Sequence, residues 1–260
     1  MGAGTANPHI IFEILEVAKM PSFWEKLQVD GQEMDVYASV PSGSGPFPAI
    51  VVAQHGGGVD KFIQTICDRL AGEGYAAVAP SLDHRITAAM LPDGSRPAQH
   101  RSDPHIIADI DATVDWLRNH SSIDGERIGI TGFCMGGRVA WLAAATNPHF
   151  KAAVPHYGGN IFVKLGNSEK TPFELTSNIQ CPILFHFGEI DANPSQEDMK
   201  KLDAELTRLG KQHQFYTYPG ADHGFMDFTG ARHHQEAAEA AWPRTLEFFA
   251  QHLKGAAVPR

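Results

Sequence analysis

Residues 129–140 read "GITGFCMGGRVA". The strand-like run "RIGIT" (127–131) leads into this stretch, and the helix-like "GRVAWLAAAT" (137–146) leads out of it. Between them, Gly132-Phe133-Cys134-Met135-Gly136 has the form glycine-x-nucleophile-x-glycine. A sharp strand-to-helix turn leaves no room for side chains beside its central residue, which is why glycines flank it. Such a turn exposes the Cys134 thiol at the carboxyl end of a strand. It also sets the thiol at a helix N-terminus, where the dipole and free N–H groups favour a thiolate. A second reading stays open on this stretch alone. Free cysteine is among the most buried residue types, and small residues crowd many strand–helix turns.

The surrounding chain supplies the context. Residues 24–29 and 34–40 read as a hairpin around Asp30-Gly31. The continuous apolar run 48–54 reads as a buried parallel strand. A helix with Phe62, Ile63, Ile66, Cys67 and Leu70 on one face follows, then a strand at 75–80. Residues 81–102 are loop-like, and 103–120 form an amphipathic helix with Asp103 as its cap and Pro104 in its first turn. Strand 127–131, helix 135–146, strand 151–157, a loop-rich stretch to about 179, strand 182–187, helix 195–209, strand 213–218 and helix 235–253 complete the pattern. This alternation predicts an α/β fold, a mostly parallel sheet with helices on both faces, and ligands beyond the carboxyl ends of the strands. The expected organisation is an N-terminal extension, 1–22, and one domain, 23–255.

Bulk properties narrow the function classes. The chain has 260 residues, enough for one large core. A net charge of -9 argues against nucleic-acid binding, which needs clustered Lys and Arg. No apolar run reaches the ~20 residues of a membrane span, so no membrane partner is expected. The N-terminus lacks the basic and apolar regions of a signal peptide, and three widely spaced cysteines suggest a reducing, cytoplasmic setting.

A thiol nucleophile needs a base, and the base needs an orienting carboxylate. "ILFHFGEIDANP" (183–194) places Asp191 just beyond a strand, and "FYTYPGADHGF" (215–225) does the same for His223. The chain order nucleophile, acid, histidine is that of the α/β-hydrolase fold. Either residue alone reads as a turn or cap. In this order, at these strand ends, they make Cys134, Asp191 and His223 a candidate triad. The oxyanion donors should be the backbone N–H of Met135 and one from the loop His55-Gly56-Gly57-Gly58, with Gly56 preferred and Gly57 the alternative.

With these segments in hand, the sequence resembles the dienelactone hydrolase family, the cysteine branch of the α/β-hydrolases, whose activity is carboxymethylenebutenolidase-like. "GFCMGG" (132–137), "FHFGEID" (185–191) and "GADHGF" (220–225) match its three catalytic segments in order, and "GYAAVAPSL" (74–82) matches the strand before its active-site loop. The resemblance spans about residues 26 to 253. It implies an α/β-hydrolase fold and a cofactor-free hydrolase of carboxylic esters or lactones, with Cys134 as nucleophile, Asp191 as acid and His223 as base. The substrate is then a small-molecule ester or lactone; the sequence does not give the oligomeric state.

Two departures stand out. Family members resemble "QEIFG" where this chain has "QHGGG" (54–58), so His55 replaces a glutamate that takes part in activating the thiol. His55 could accept the thiol proton or only shape the loop. The family also holds a substrate carboxylate with two arginines, one shortly after the histidine. Here "HGFMD" (223–227) puts Asp227 at that place, Arg232 lies further on, and Arg96 or Arg101 are candidates for the other. Phe133, His156, Tyr157 and Phe225 are candidates for the pocket wall, with core or loop packing equally open for His156 and Tyr157, whereas His186 reads as a core histidine and Cys67 and Cys181 as structural. The fourteen histidines form no HExxH or paired Cys/His spacing, so no metal is expected. Rival readings are a general esterase, thioesterase or acyl transferase with the same triad, and a non-catalytic α/β-hydrolase scaffold.

Overall fold

In the computed structural model, which describes residues 21–91 and 97–255, the sheet has eight strands. They are β1 (Ser22–Val29), β2 (Gln32–Ser39), β3 (Phe47–Ala53), β4 (Ala76–Pro80), β5 (Ile123–Phe133), β6 (Phe150–His156), β7 (Ile183–Gly188) and β8 (His213–Tyr218). The helices are α1 (Lys61–Gly72), α2 (Asp103–Asn119), α3 (Met135–Thr146), α4 (Gln196–Arg208) and α5 (Gln235–Leu253). The N-terminal extension expected at 1–22 lies outside the described residues up to residue 20.

Strand order is β1-β2-β4-β3-β5-β6-β7-β8. The β1–β2 and β2–β4 pairs are antiparallel and all the others parallel, which is the α/β-hydrolase arrangement. Asp30 and Gly31 both take positive φ, 50° and 76°, as the tight turn of the opening hairpin requires. In β3, Ala49, Val51 and Ala53 face one core while Ile50 and Val52 face the other. Both faces are therefore covered: α2, α3 and α4 supply the first core, and α1 and α5 the second.

Three local readings change. The strand expected at 127–131 extends to Ile123–Phe133, because it is paired on both sides, with β3 and β6. The 81–102 loop contains short 3-10 turns at Ala88–Met90 and Pro97–His100. The N-cap of α2 is Ser102, not Asp103. The Asp103 carboxylate is buried and faces Arg138 instead, an ion pair that outcompetes capping for the only charge it carries.

Candidate active site

The turn after β5 is as tight as its sequence suggests. Cys134 sits at φ 57° and ψ −118°, a region that L side chains rarely adopt. A Cβ on Gly132 would collide with the Gly136 carbonyl, and one on Gly136 with the Ala53 carbonyl. The neighbouring strand holds the turn from the other side, through the Cys134 N–H donating to the His156 carbonyl at 3.1 Å. Strain of this kind persists only where packing on all sides enforces it.

Asp191 and His223 arrive from the ends of β7 and β8. Backbone bonds from Glu189 to Tyr218 and from Ile190 to Ala221 tie the two loops together, and Gly188 passes so close to Ala221 that only glycine fits. His223 Nδ1 and Asp191 Oδ2 lie 3.0 Å apart. The other Asp191 oxygen accepts the Asn193 backbone N–H at 2.8 Å. With Nδ1 occupied by the carboxylate, the second ring nitrogen is the one left for the Cys134 thiol.

Thiol and imidazole shift each other. Burial by itself raises the Cys134 thiol, but the His223 hydrogen bond and charge, with the Met135 and Gly56 backbone N–H groups, outweigh it and bring it below its ordinary value. Burial lowers the His223 imidazolium, and the Asp191 and Cys134 hydrogen bonds outweigh that, pushing it up to about 10. Both shifts favour a thiolate–imidazolium pair. The two N–H groups that reach the sulfur belong to the two residues expected as oxyanion donors; Gly57 instead packs its backbone against the His55 ring.

Cys134, Met135, His223 and Gly56 open onto one cavity of about 550 Å³. Its wall also includes Arg101, Arg138, Asn160, Leu165 and Asn193. Arg101 forks onto Asp83, Nε and Nη2 lying 2.8 and 2.7 Å from its two oxygens. Asp83 is in turn bonded by Gln54, one residue before the His55–Gly58 loop. Arg138 forks onto Asp103 and also donates to the Asn160 and Val163 carbonyls.

Other expectations come out differently. His55 Nε2 lies 2.8 Å from Asp60 Oδ2, and Asp60 caps α1, so His55 braces its own loop. Phe133, His156, Tyr157 and Phe225 are fully buried and stand behind the cavity rather than on its wall. Phe133 stacks on His156 with centroids 4.5 Å apart, and Tyr157 packs edge-on against His223 at 5.2 Å. Asp227 turns its carboxylate onto the backbone and hydroxyl of Thr229 instead of into the cavity. Arg96 lies outside the described residues. His186 is a core histidine, bonded to Tyr218 and Thr245, and Cys67 and Cys181 are buried.

Arg138, Asn160 and Asn193 were not singled out by the sequence reading. One signal was present: Arg138 is the only charged residue in an otherwise apolar helix that follows the nucleophile. Asn160 and Asn193 had none, because their importance comes from loops that meet only in three dimensions.

The model of the dienelactone hydrolase family matches residues 34–253. The chain belongs to the dienelactone hydrolase family. It is a hydrolase of carboxylic-ester or lactone bonds. It is 36% identical over 228 residues to an Escherichia coli O157:H7 protein named "Putative carboxymethylenebutenolidase", covering 85% of this chain and 84% of that one. A Bradyrhizobium protein named "Probable 2-oxo-3-(5-oxofuran-2-ylidene)propanoate lactonase" is 30% identical, covering 89% of this chain and 95% of the relative. Among solved structures, "Putative Dienelactone Hydrolase" from Klebsiella pneumoniae superposes with a TM-score of 0.79 at 33% identity, covering 89% of this chain and 99% of that one. Among the described residues, no helix of this hydrolase is long and apolar enough to cross a membrane.

Proposed function

We propose that this family member cleaves small-molecule esters or lactones through Cys134, His223 and Asp191, by way of a thioester. The Cys134 thiolate attacks the substrate carbonyl carbon, and the carbonyl electron pair moves onto oxygen. The Met135 and Gly56 N–H groups stabilise that oxyanion. As the tetrahedral intermediate collapses, the His223 imidazolium protonates the leaving alkoxide, and the acyl group stays on sulfur. Neutral His223 then takes a proton from water, which attacks the thioester; collapse releases the acid and restores the thiolate–imidazolium pair. Asp191 holds the imidazole in its productive orientation throughout.

The observation that carries this reading is the convergence on one sulfur. A carboxylate-anchored imidazole and two backbone N–H groups all reach Cys134 on the wall of a cavity sized for a small molecule. Three unpaired cysteines fit a cytoplasmic setting for the same enzyme. Cys134→Ala should abolish ester cleavage while leaving the thermal unfolding midpoint near that of the parent. Full activity in the folded variant would overturn the mechanism.

A further inference from the structure

Asn160 and Asn193 stand on the wall of the cavity that holds Cys134 and His223, and they are locked to each other. The Asn160 backbone N–H donates to Asn193 Oδ1 at 3.0 Å, and Asn193 Nδ2 donates to Asn160 Oδ1 at 3.1 Å. These two bonds fix the orientation of both carboxamides. The pair is held from outside as well. Arg138 Nε donates to the Asn160 carbonyl at 3.0 Å, and Asn160 takes φ 56°, a conformation that asparagine tolerates better than most residues. Gly159 passes against the Asn193 side chain with no room for a Cβ. On the other side, the Asn193 backbone N–H bonds Asp191.

A carboxamide carries two N–H donors and one accepting oxygen. The reciprocal pairing uses both oxygens and one donor of Asn193. Both asparagines are exposed where they line the cavity, and the Asn160 Nδ2 group makes no hydrogen bond among the described residues, so its two donors are free. The two arginines on the same wall are in a different position, since each is already forked onto a buried or half-buried aspartate. Besides the backbone N–H groups of Met135 and Gly56, the neutral side-chain donors of this wall are therefore the asparagine amides.

We propose that the Asn160–Asn193 pair is a specificity element that recognises an uncharged hydrogen-bond-accepting oxygen, such as an ether or ketone oxygen, on the acyl part of the substrate. The proposal rests on the ester- or lactone-cleaving reading above. Donors held on an exposed cavity wall favour a substrate bearing the matching acceptor to the extent that the bound substrate covers them and displaces their water, because an isostere without it then leaves them unpaired.

Matched p-nitrophenyl esters test it: 3-methoxypropanoate against pentanoate, and 4-methoxybutanoate against hexanoate. Each pair differs by one ether oxygen in place of a methylene. The intact enzyme should favour the oxygenated member of at least one pair, and Asn160→Asp, which keeps the shape but replaces the donors, should lower that preference about five-fold in kcat/KM. The all-carbon esters should change little. Equilibrium binding of the same esters to the Cys134→Ala protein, with and without Asn160→Asp, should show the same loss for the ether member. A preference unchanged by Asn160→Asp in both assays overturns the proposal. So does an equal loss on both members of each pair, which would make the asparagines mere supports of Asp191. Binding selectivity without hydrolysis by the intact enzyme would leave the specificity element standing and overturn the catalytic reading instead.

Discussion

At the residue scale, the lowered pKa of the Cys134 thiol comes from its neighbours. A thiol this buried would ordinarily be harder to ionise; His223 and two backbone N–H groups reverse that. The alkylation rate of Cys134 with iodoacetamide should therefore stay high as pH falls below the ordinary thiol range, and decline only as protonation of the thiolate removes the nucleophile. The alkaline limb of kcat/KM should lie near pH 10, where the imidazolium loses the proton that the proposed mechanism gives to the leaving group. A single limb near an unperturbed thiol value would show that the ion pair does not form. His55 stands where the family's glutamate was expected, yet it is bonded to Asp60. His55→Gln should thus leave the midpoint of the alkylation profile unmoved while lowering kcat modestly through the loosened oxyanion loop. A shifted midpoint would return His55 to the activation step. Asp191→Asn should reduce kcat by about 10³- to 10⁴-fold with the fold intact, since the imidazole then loses both its orientation and its counter-charge.

At the element scale, the turn between β5 and α3 was the most legible feature, and for a physical reason. Its glycines report backbone contacts so close that the sequence has no alternative, and Gly136→Ala would drive a methyl group into the Ala53 carbonyl. That variant should lose about 2–4 kcal/mol of stability in urea unfolding, or fail to accumulate as folded protein. The strand and helix pattern was similarly readable, since parallel strands covered on both faces must be continuously apolar. What could not be read was the destination of charges. Asp103 looked like a helix cap, and Arg138 like an ordinary helix residue. Together they form a buried pair that clamps the loop carrying Asn160 and Leu165 onto α2, with the Leu165 N–H also donating to Asp103. The two residues are 35 positions apart in sequence. Arg138→Met should leave an uncompensated buried carboxylate and cost about 3–5 kcal/mol, measured as a shift in the urea midpoint at constant m-value. An unchanged midpoint would mean that the pair is dispensable to the fold.

At the scale of the whole molecule, a buried polar chain runs between the sheet and α5. Arg244 donates to the Tyr218 hydroxyl, which meets His186; His186 and His156 both meet the Thr245 hydroxyl. Burial pushes His156 down to about 3 and His186 well below its ordinary value. Both histidines are therefore neutral in the folded protein and free to charge in the unfolded chain. Stability should be insensitive to them above about pH 6.5 and should fall as pH drops from there toward 3, because the unfolded state binds the extra protons. Each histidine contributes a slope approaching about 1.4 kcal/mol per pH unit in that window. His186→Gln should flatten the profile; an unaltered slope would show that these rings are not held neutral. Little of this network was evident in the sequence beyond the core reading of His186 and the core packing left open for His156, since histidines give no periodic signal and the members come from three strands and a helix.

The molecule as a whole converges on one atom. The eight-stranded sheet sets Cys134, Gly56 and His223 around one cavity, and the most direct measurement is to trap what forms on the sulfur. Acid quenching during turnover of an activated ester, followed by peptide mass spectrometry, should find the acyl mass on the peptide containing Cys134 and none in the Cys134→Ala variant. Rapid turnover with the acyl mass on another residue, or with hydrolysis undiminished in that variant, would contradict a thioester at Cys134.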